Sequence, residues 1–173
     1  MIKLTAQFLS ASDIPAFLEL QDIAVQNLTP DRLHHLKPKK AWDLNLHLDN
    51  RMPLMGVFND QGKLAAQLLL TFPALSHDLK ALEGYPVDES PGTTAVIQSL
   101  SVHPKHKGNG LGPSLIEDAF NVALQRGCVQ VVAKVAKDNI DSLRTFTKAG
   151  FSPWKSGTDP HKGYPVWYMR KEL

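Results

Sequence analysis

Between Leu100 and Ile116 the chain runs from an apolar stretch through the basic, glycine-rich turn His103-Pro104-Lys105-His106-Lys107-Gly108-Asn109-Gly110. It then passes directly into the helix-like pattern Leu111-Gly112-Pro113-Ser114-Leu115-Ile116. Such a segment commits the fold to a strand that turns tightly into a helix. The N–H groups of the turn and of the helix's open first turn converge on one spot. The helix dipole also favours negative charge there, so the segment can cradle a phosphate or pyrophosphate. Lys105 and Lys107 would add charge-assisted contacts. The plainer alternative is that Gly108 and Gly110 serve only to permit the tight turn.

The common phosphate motifs do not match. No G-x-x-x-x-G-K-[ST] occurs, and Gly108-Asn109-Gly110-Leu111-Gly112 has the wrong spacing for G-x-G-x-x-G followed by an acidic residue about 20 positions later. Nucleoside triphosphatases and Rossmann enzymes are therefore disfavoured, and a nucleotide-binding module would need a base-recognition element that the chain does not show.

Around this segment the periodicities give a mixed order of elements. Ile2, Leu4, Ala6 and Phe8 alternate as a strand, and Ser10 to Pro15 open a helix that ends near Leu28 to Pro30. Residues 31–49 read as broken helix and a poor core segment. Leu54 to Phe58 and Leu64 to Phe72 form a hairpin about Asn59-Asp60-Gln61-Gly62. Residues 73–93, rich in proline and mixed charge, read as a long irregular connection. Thr94 to Val102 is a strand, Leu111 to Arg126 a helix, Val129 to Val135 a strand and Ile140 to Ala149 a helix. Phe151 to Trp154 and Tyr164 to Arg170 make two short closing strands, with residues 153–165 read as a loop beside a site. The expected fold is one α/β domain over residues 1–173, a mixed, mostly antiparallel sheet flanked by helices in the order β-α-(α)-β-β-β-α-β-α-β-β.

Composition narrows the function classes. Over 173 residues, 19 Lys and Arg against 17 Asp and Glu leave a formal charge of +2, too little for a protein whose main partner is a nucleic-acid backbone. Cys128 is the single cysteine, so no intramolecular disulfide and no cysteine-rich zinc site is expected. No stretch approaches the roughly 20 apolar residues of a membrane span, and Lys3, Thr5 and Gln7 break the opening segment, unlike a signal peptide. The expectation is a cytoplasmic protein without membrane or nucleic-acid partners.

Two blocks carry a family resemblance. Val102-His103-Pro104 followed by Lys107-Gly108-Asn109-Gly110-Leu111-Gly112 resembles the V-x-P and [QR]-x-x-G-x-[GA] signature of the GNAT N-acetyltransferases. Lys107 stands where the family usually has Gln or Arg. Asn139-Ile140-Asp141-Ser142-Leu143-Arg144-Thr145-Phe146-Thr147-Lys148-Ala149-Gly150-Phe151 is similar to the family's N-x-x-[AS]-x-x-x-[YF]-x-K-x-G-F helix. The likeness covers residues 96–171 well, whereas residues 1–72 agree in element order more than in motif.

The resemblance implies acetyl-CoA as co-substrate, and the sequence itself gives no expectation of a metal. The pyrophosphate would lie on Lys107, Gly108, Asn109, Gly110, Leu111 and Gly112. Pro113 lacks an amide, so contacts fall on neighbours such as Ser114. The pantetheine arm would lie along Leu100, Ser101 and Val102 like an added strand. Asn139 is carried over as a pantetheine contact, with helix N-cap as the equal alternative. Ser142 is a small residue on the same helical face that lets the cofactor approach. Phe146 stands where many members place a Tyr that protonates the departing thiolate. A phenylalanine has no proton to give, and Phe146 is expected to pack beside the thiol end.

No catalytic residue is assignable. Val96 to Val102 carries no carboxylate for a general base, and His103 in V-x-P suggests a turn role. The implied reaction is acetyl transfer to a primary amine of a small molecule or peptide by direct attack. An α-amine, with pKa about 7.7–8.0, would need less help than a lysine amine near 10.4. The competing reading is a CoA-binding sensor that has lost turnover. The acceptor pocket is expected from residues 28–50, 73–93 and 153–165. Within them His34, His35, His47, His77 and His161, with Glu83, Asp88 and Glu89, read as surface groups, and no spacing among them reads as a metal site. Trp42, Tyr85, Trp154 and Tyr164 are candidates to line an apolar site, with core caps the commoner role of aromatics near loop ends. Dimerisation through the closing strands is implied by family analogy only.

Overall fold

The computed structural model describes residues 5–73, 85 and 91–173. Its elements are β1 (Gln7–Leu9), α1 (Ile14–Gln26), α2 (Ala41–Asp49), β2 (Leu54–Phe58), β3 (Leu64–Thr71), β4 (Thr94–Val102), α3 (Leu111–Gln125), β5 (Gln130–Ala136), α4 (Ile140–Lys148), β6 (Ser152–Thr158) and β7 (Pro165–Glu172). The strands form one sheet in the order β1-β2-β3-β4-β5-β7-β6. Neighbours are antiparallel except β4 and β5. This is the mixed, mostly antiparallel α/β architecture expected from the sequence.

Local chemistry sets the boundaries. The Ser10 N–H donates to Asp13 Oδ2 at 2.8 Å, closing the turn that leads into α1, and Pro15 occupies a first-turn position that needs no N–H. Between β2 and β3 the Asn59 side-chain oxygen accepts from the amides of Gln61 and Lys63 at 3.0 and 2.9 Å, which makes the hairpin turn self-supporting.

Helices cover both faces of the sheet. On one, Phe17 and Leu20 of α1 and Leu44 of α2 pack on Leu54 and Leu69. On the other, Leu115, Ile116 and Phe120 of α3 and Phe146 of α4 pack on Leu68, Leu70, Ala95 and Val131. Burying such side chains stabilises by about 1.5–3 kcal/mol each before entropy is counted.

Several expectations need correction. Of the strand expected from Ile2, the described part is Gln7–Leu9, since residues 1–4 lie outside the described residues. Residues 31–49 are not a poor core segment, because Leu44 is wholly buried and His47 nearly so. The closing strands are longer than expected. β6 runs to Thr158, so most of the supposed 153–165 loop is strand paired with β7, and only residues 159–164 connect them. Most of residues 73–93, with His77, Glu83, Asp88 and Glu89, lie outside the described residues.

Candidate functional site

The site begins where the central strands part. β4 and β5 pair only through Thr94, Ala95 and Val96 with Gln130, Val131 and Val132. Both strands continue, but β4 then stays with β3 and β5 with β7. The cause lies in β4. Between the pairs Gln67–Ser101 and Leu69–Gln98, β3 advances two residues while β4 advances three, and Ser99 takes up the extra residue with φ of +53°. A bulge of this kind bends its strand and disrupts one ladder.

The gap is lined by backbone polar groups. The His103 N–H donates to the Ala65 carbonyl at 2.8 Å. By the two-residue alternation of an antiparallel strand, the N–H and C=O of Val102 and Leu100 therefore face away from β3, into the gap. From the other side, the Lys137 N–H donates to Pro165, so the same alternation points the backbone of Lys134 and Ala136 toward β4.

At the open end of the gap stands the glycine turn. His103 Nδ1 accepts the Lys105 amide at 3.1 Å and fixes the Pro104–His106 turn, the role its V-x-P position suggested. Gly108 and Gly110 have φ of +83° and +74°, which a side chain would strain. The amides of residues 108–112 find no acceptor among the described residues. Gly112 has a second reason to be glycine. A Cβ there would sit 2.9 Å from Thr145 Cγ2, so its absence lets α3 approach α4.

A cavity of about 470 Å³ joins these parts. Leu100, Ser101, Val102 and Lys107 form one wall, Asn139, Ser142, Arg144 and Thr145 of the α4 entry another, and Ala24 to Leu36 the third. The structure thus brings Leu100, Ser101, Val102, Lys107, Asn139 and Ser142 to one cavity, with Gly108, Asn109, Gly110, Leu111 and Gly112 following Lys107 in the chain.

Three expected contacts are placed differently. Asn139 is the N-cap of α4, its Oδ1 accepting from the Ser142 amide at 3.2 Å, while its Nδ2 has no partner among the described residues. Ser114 donates its amide to the Gly110 carbonyl at 3.1 Å inside the helix and lines a second cavity with Glu117, Phe120, Lys148 and Lys171. Phe146 is only 4% exposed and does not line the groove. It meets Phe151 edge-on at 5.0 Å between ring centroids and serves the core.

Of the further groups with polar or aromatic contacts, His35 and Asp138 line the cavity. Tyr85 meets Tyr168 edge-on at 5.0 Å between ring centroids, and its hydroxyl hydrogen-bonds the backbone of Lys134. Burial drives its pKa upward, so it keeps its proton. Lys39, whose backbone is held by both ends of the Gln21 side chain, donates from Nζ to Gln98 of β4 at 3.3 Å, and burial lowers its pKa. Asp159 is held by Lys134 Nζ at 2.6 Å and by the amides of His161 and Lys162. Burial alone would raise its pKa, but these bonds outweigh it and bring the value down to about 2. His34 and His35 both turn toward Asp138, which lies far off in sequence. Burial tends to raise the Asp138 pKa, but its contacts with the two imidazoles prevail and hold it low. Trp42 is exposed on α2, and Trp154 carries the Arg170 guanidinium 4.5 Å above its ring.

Known proteins place this arrangement. The model of the acetyltransferase (GNAT) family matches residues 17–151. The chain belongs to that family. This acetyltransferase is similar in fold to the phosphinothricin acetyltransferase of Sinorhizobium meliloti, whose structure contains acetyl-CoA. The two share 14% identity and a TM-score of 0.73, over 99% of this chain and 89% of that one. It is also similar to the ribosomal-protein-S18-alanine N-acetyltransferase of Escherichia coli, at 17% identity and a TM-score of 0.69 over 98% and 93% of the two chains. In sequence it is 31% identical over 64 residues to the mycothiol acetyltransferase of Saccharopolyspora erythraea, a match spanning 37% of this chain but only 21% of that protein. Among the described residues no helix is long and apolar enough to cross a membrane.

Proposed function

We propose that this N-acetyltransferase takes its acetyl group from acetyl-CoA and gives it to a primary amine of a small molecule or peptide, both substrates being bound together. The observation that carries this reading is the row of partnerless amides at residues 108–112 placed at the mouth of the β4–β5 gap. Orphaned donors at a helix start fit a pyrophosphate, and a strand edge released from its neighbour fits the amides of a pantetheine arm. The acetyl-CoA found in the Sinorhizobium relative supports the same donor.

In this reading Gly108, Asn109, Gly110, Leu111 and Gly112 bind the pyrophosphate through their amides, and Lys107 adds charge. Backbone groups of Leu100 and Val102 hold the arm, Ser101 belongs to the strand that presents them, and Asn139 Nδ2 is left to donate to it while Oδ1 caps α4. Ser142 keeps the α4 face low. The co-substrate supplies an acyl carbon with a thiol leaving group of pKa about 8.5, which departs tolerably as thiolate near neutral pH.

Proton handling falls to the chain. The acceptor nitrogen must lose a proton and the sulfur must gain one or leave as thiolate. Phe146 has no hydroxyl, whereas Tyr85 places a protonated one against the Lys134 backbone that borders the gap. In this reading Tyr85 would donate to the departing sulfur.

The reaction is tested by following free CoA as a panel of amines is added to enzyme and acetyl-CoA. Acceptor-dependent CoA release, with α-amines turning over at lower pH than lysine side chains, supports the reading. Binding of acetyl-CoA without release by any amine would instead support a CoA sensor.

A further inference from the structure

We propose that His34, His35 and Asp138 form a binding site for a divalent transition-metal ion of the zinc type. His34 Nε2 lies 3.0 Å from both carboxylate oxygens of Asp138, and His35 Nε2 lies 3.0 Å from one of them. The three ligand atoms lie within 4.8 Å of one another. Around a tetrahedral zinc with bonds of about 2.0–2.1 Å, neighbouring ligand atoms are about 3.3 Å apart. The cluster therefore needs only a small adjustment to close on an ion.

Hydrogen bonding accounts for His34 but leaves His35 poorly aligned. His34 Nε2 is aligned on Asp138, whereas buried His35 Nε2 approaches the same carboxylate at 3.0 Å without the alignment of a full hydrogen bond. The His35 side chain is only 7% exposed, so water does not readily replace the missing partner. A buried polar atom left unsatisfied is costly unless something else meets it. A cation held by both imidazoles and the carboxylate would satisfy it.

The ligands are also held in place. Adjacent residues in a helical turn normally diverge, yet the rings of His34 and His35 are 4.6 Å apart at centroids. Tyr164 braces His34 from outside at 4.8 Å. Asp138 comes from the turn between β5 and α4, next to the Asn139 cap. Two imidazoles and one carboxylate suit zinc and its neighbours rather than magnesium or calcium. His35 and Asp138 line the cavity, so the ion's remaining position would open onto it. Sequence spacing hides the site, because Asp138 lies 104 residues beyond His34. Binding would tie the 30–35 turn to the start of α4.

The experiment is a calorimetric titration of untagged, chelator-treated protein with zinc chloride, with magnesium chloride in parallel and thermal unfolding on the same samples. The expected result is one zinc per chain with micromolar or tighter affinity, a higher Tm with zinc, and no response to magnesium. His35→Ala or Asp138→Asn should weaken zinc binding by about 100-fold or more. The variant pair His103→Ala and His106→Ala, at the other histidine cluster, should leave zinc binding unchanged. Absence of saturable zinc binding to the unmodified chain would overturn the proposal, whatever the variants do. Full affinity in a folded His35→Ala/Asp138→Asn chain would overturn it as well.

Discussion

Val96 pairs with Val132 across β4 and β5, and beyond that pair the two strands separate, whereas Val102 at the end of β4 still pairs with Ala66 of β3. One edge of β4 is held and the other released, and the extra residue at Ser99 accounts for the difference. The cavity wall formed by Leu100, Ser101 and Val102 follows from this asymmetry, because only a strand without a partner has backbone groups to offer.

Ser99 adopts a left-handed conformation that favours glycine. Ser99→Gly should therefore leave acetyl-CoA binding intact and cost nothing in stability, with a gain of up to about 1 kcal/mol. Ser99→Val should lose about 1–2 kcal/mol, because a β-branched residue resists positive φ. Chemical denaturation of the two variants beside the parent checks both.

Lys107 is exposed on the cavity rim beside the glycine turn. Lys107→Ala should weaken acetyl-CoA binding about tenfold, the loss of one charge-assisted contact of about 1.5 kcal/mol. The parent's affinity should fall more steeply with salt than the variant's. Titrations at two ionic strengths measure both effects.

The fold was legible because its signals are local. Alternation marked the strands, the boundaries of β4 emerged correctly at Thr94 and Val102, and Gly127 and Gly150 marked where α3 and α4 end. At the candidate site the contiguous motifs indicated residues that share one cavity, Leu100, Ser101, Val102 and Lys107 with Asn139 and Ser142. Ser114 and Phe146 do not line that cavity, because a motif gives spacing, and spacing alone does not tell which side of a helix faces it. Leu44 and His47 were undervalued because α2 has a short apolar stripe among polar residues, and its burial depends on α1 and the sheet. Tyr85 against Lys134, and His34 with Asp138, join distant segments, and no local pattern reports them.

Gly112 and Thr145 give a test of packing separate from substrate binding. Gly112→Ala places a methyl group 2.9 Å from Thr145 Cγ2 and should destabilise by about 1–3 kcal/mol. Thr145→Ser removes that methyl group, so the double variant should recover much of the loss. A double-mutant cycle showing additive effects would contradict the direct contact.

The proposed acid role gives opposite expectations for Tyr85 and Phe146. In a chemistry-limited assay Tyr85→Phe should lower kcat by about 10²-fold or more while leaving KM for acetyl-CoA near the parent value. Phe146→Tyr should not raise kcat. It should instead lower stability by about 1–3 kcal/mol, because its hydroxyl enters the core beside Phe151.

His47 gives the pH dependence of stability. Burial holds its pKa down to about 4, below the ordinary value of 6.5, so the unfolded chain takes up a proton that the folded one refuses. Stability should fall as pH drops from about 6.5 to 4 and level off below, by about 3 kcal/mol over that window. In a folded His47→Gln chain this component should vanish, as urea unfolding across the range would show.

Calorimetric titration with acetyl-CoA, CoA and ATP tests the central claim most directly. One site of micromolar affinity for acetyl-CoA and CoA, with no heat from ATP, is the result expected of the β4–β5 gap and its glycine turn. Failure to bind acetyl-CoA, or equal binding of ATP, would contradict the assignment of Lys107 to Gly112 and of the parted strands.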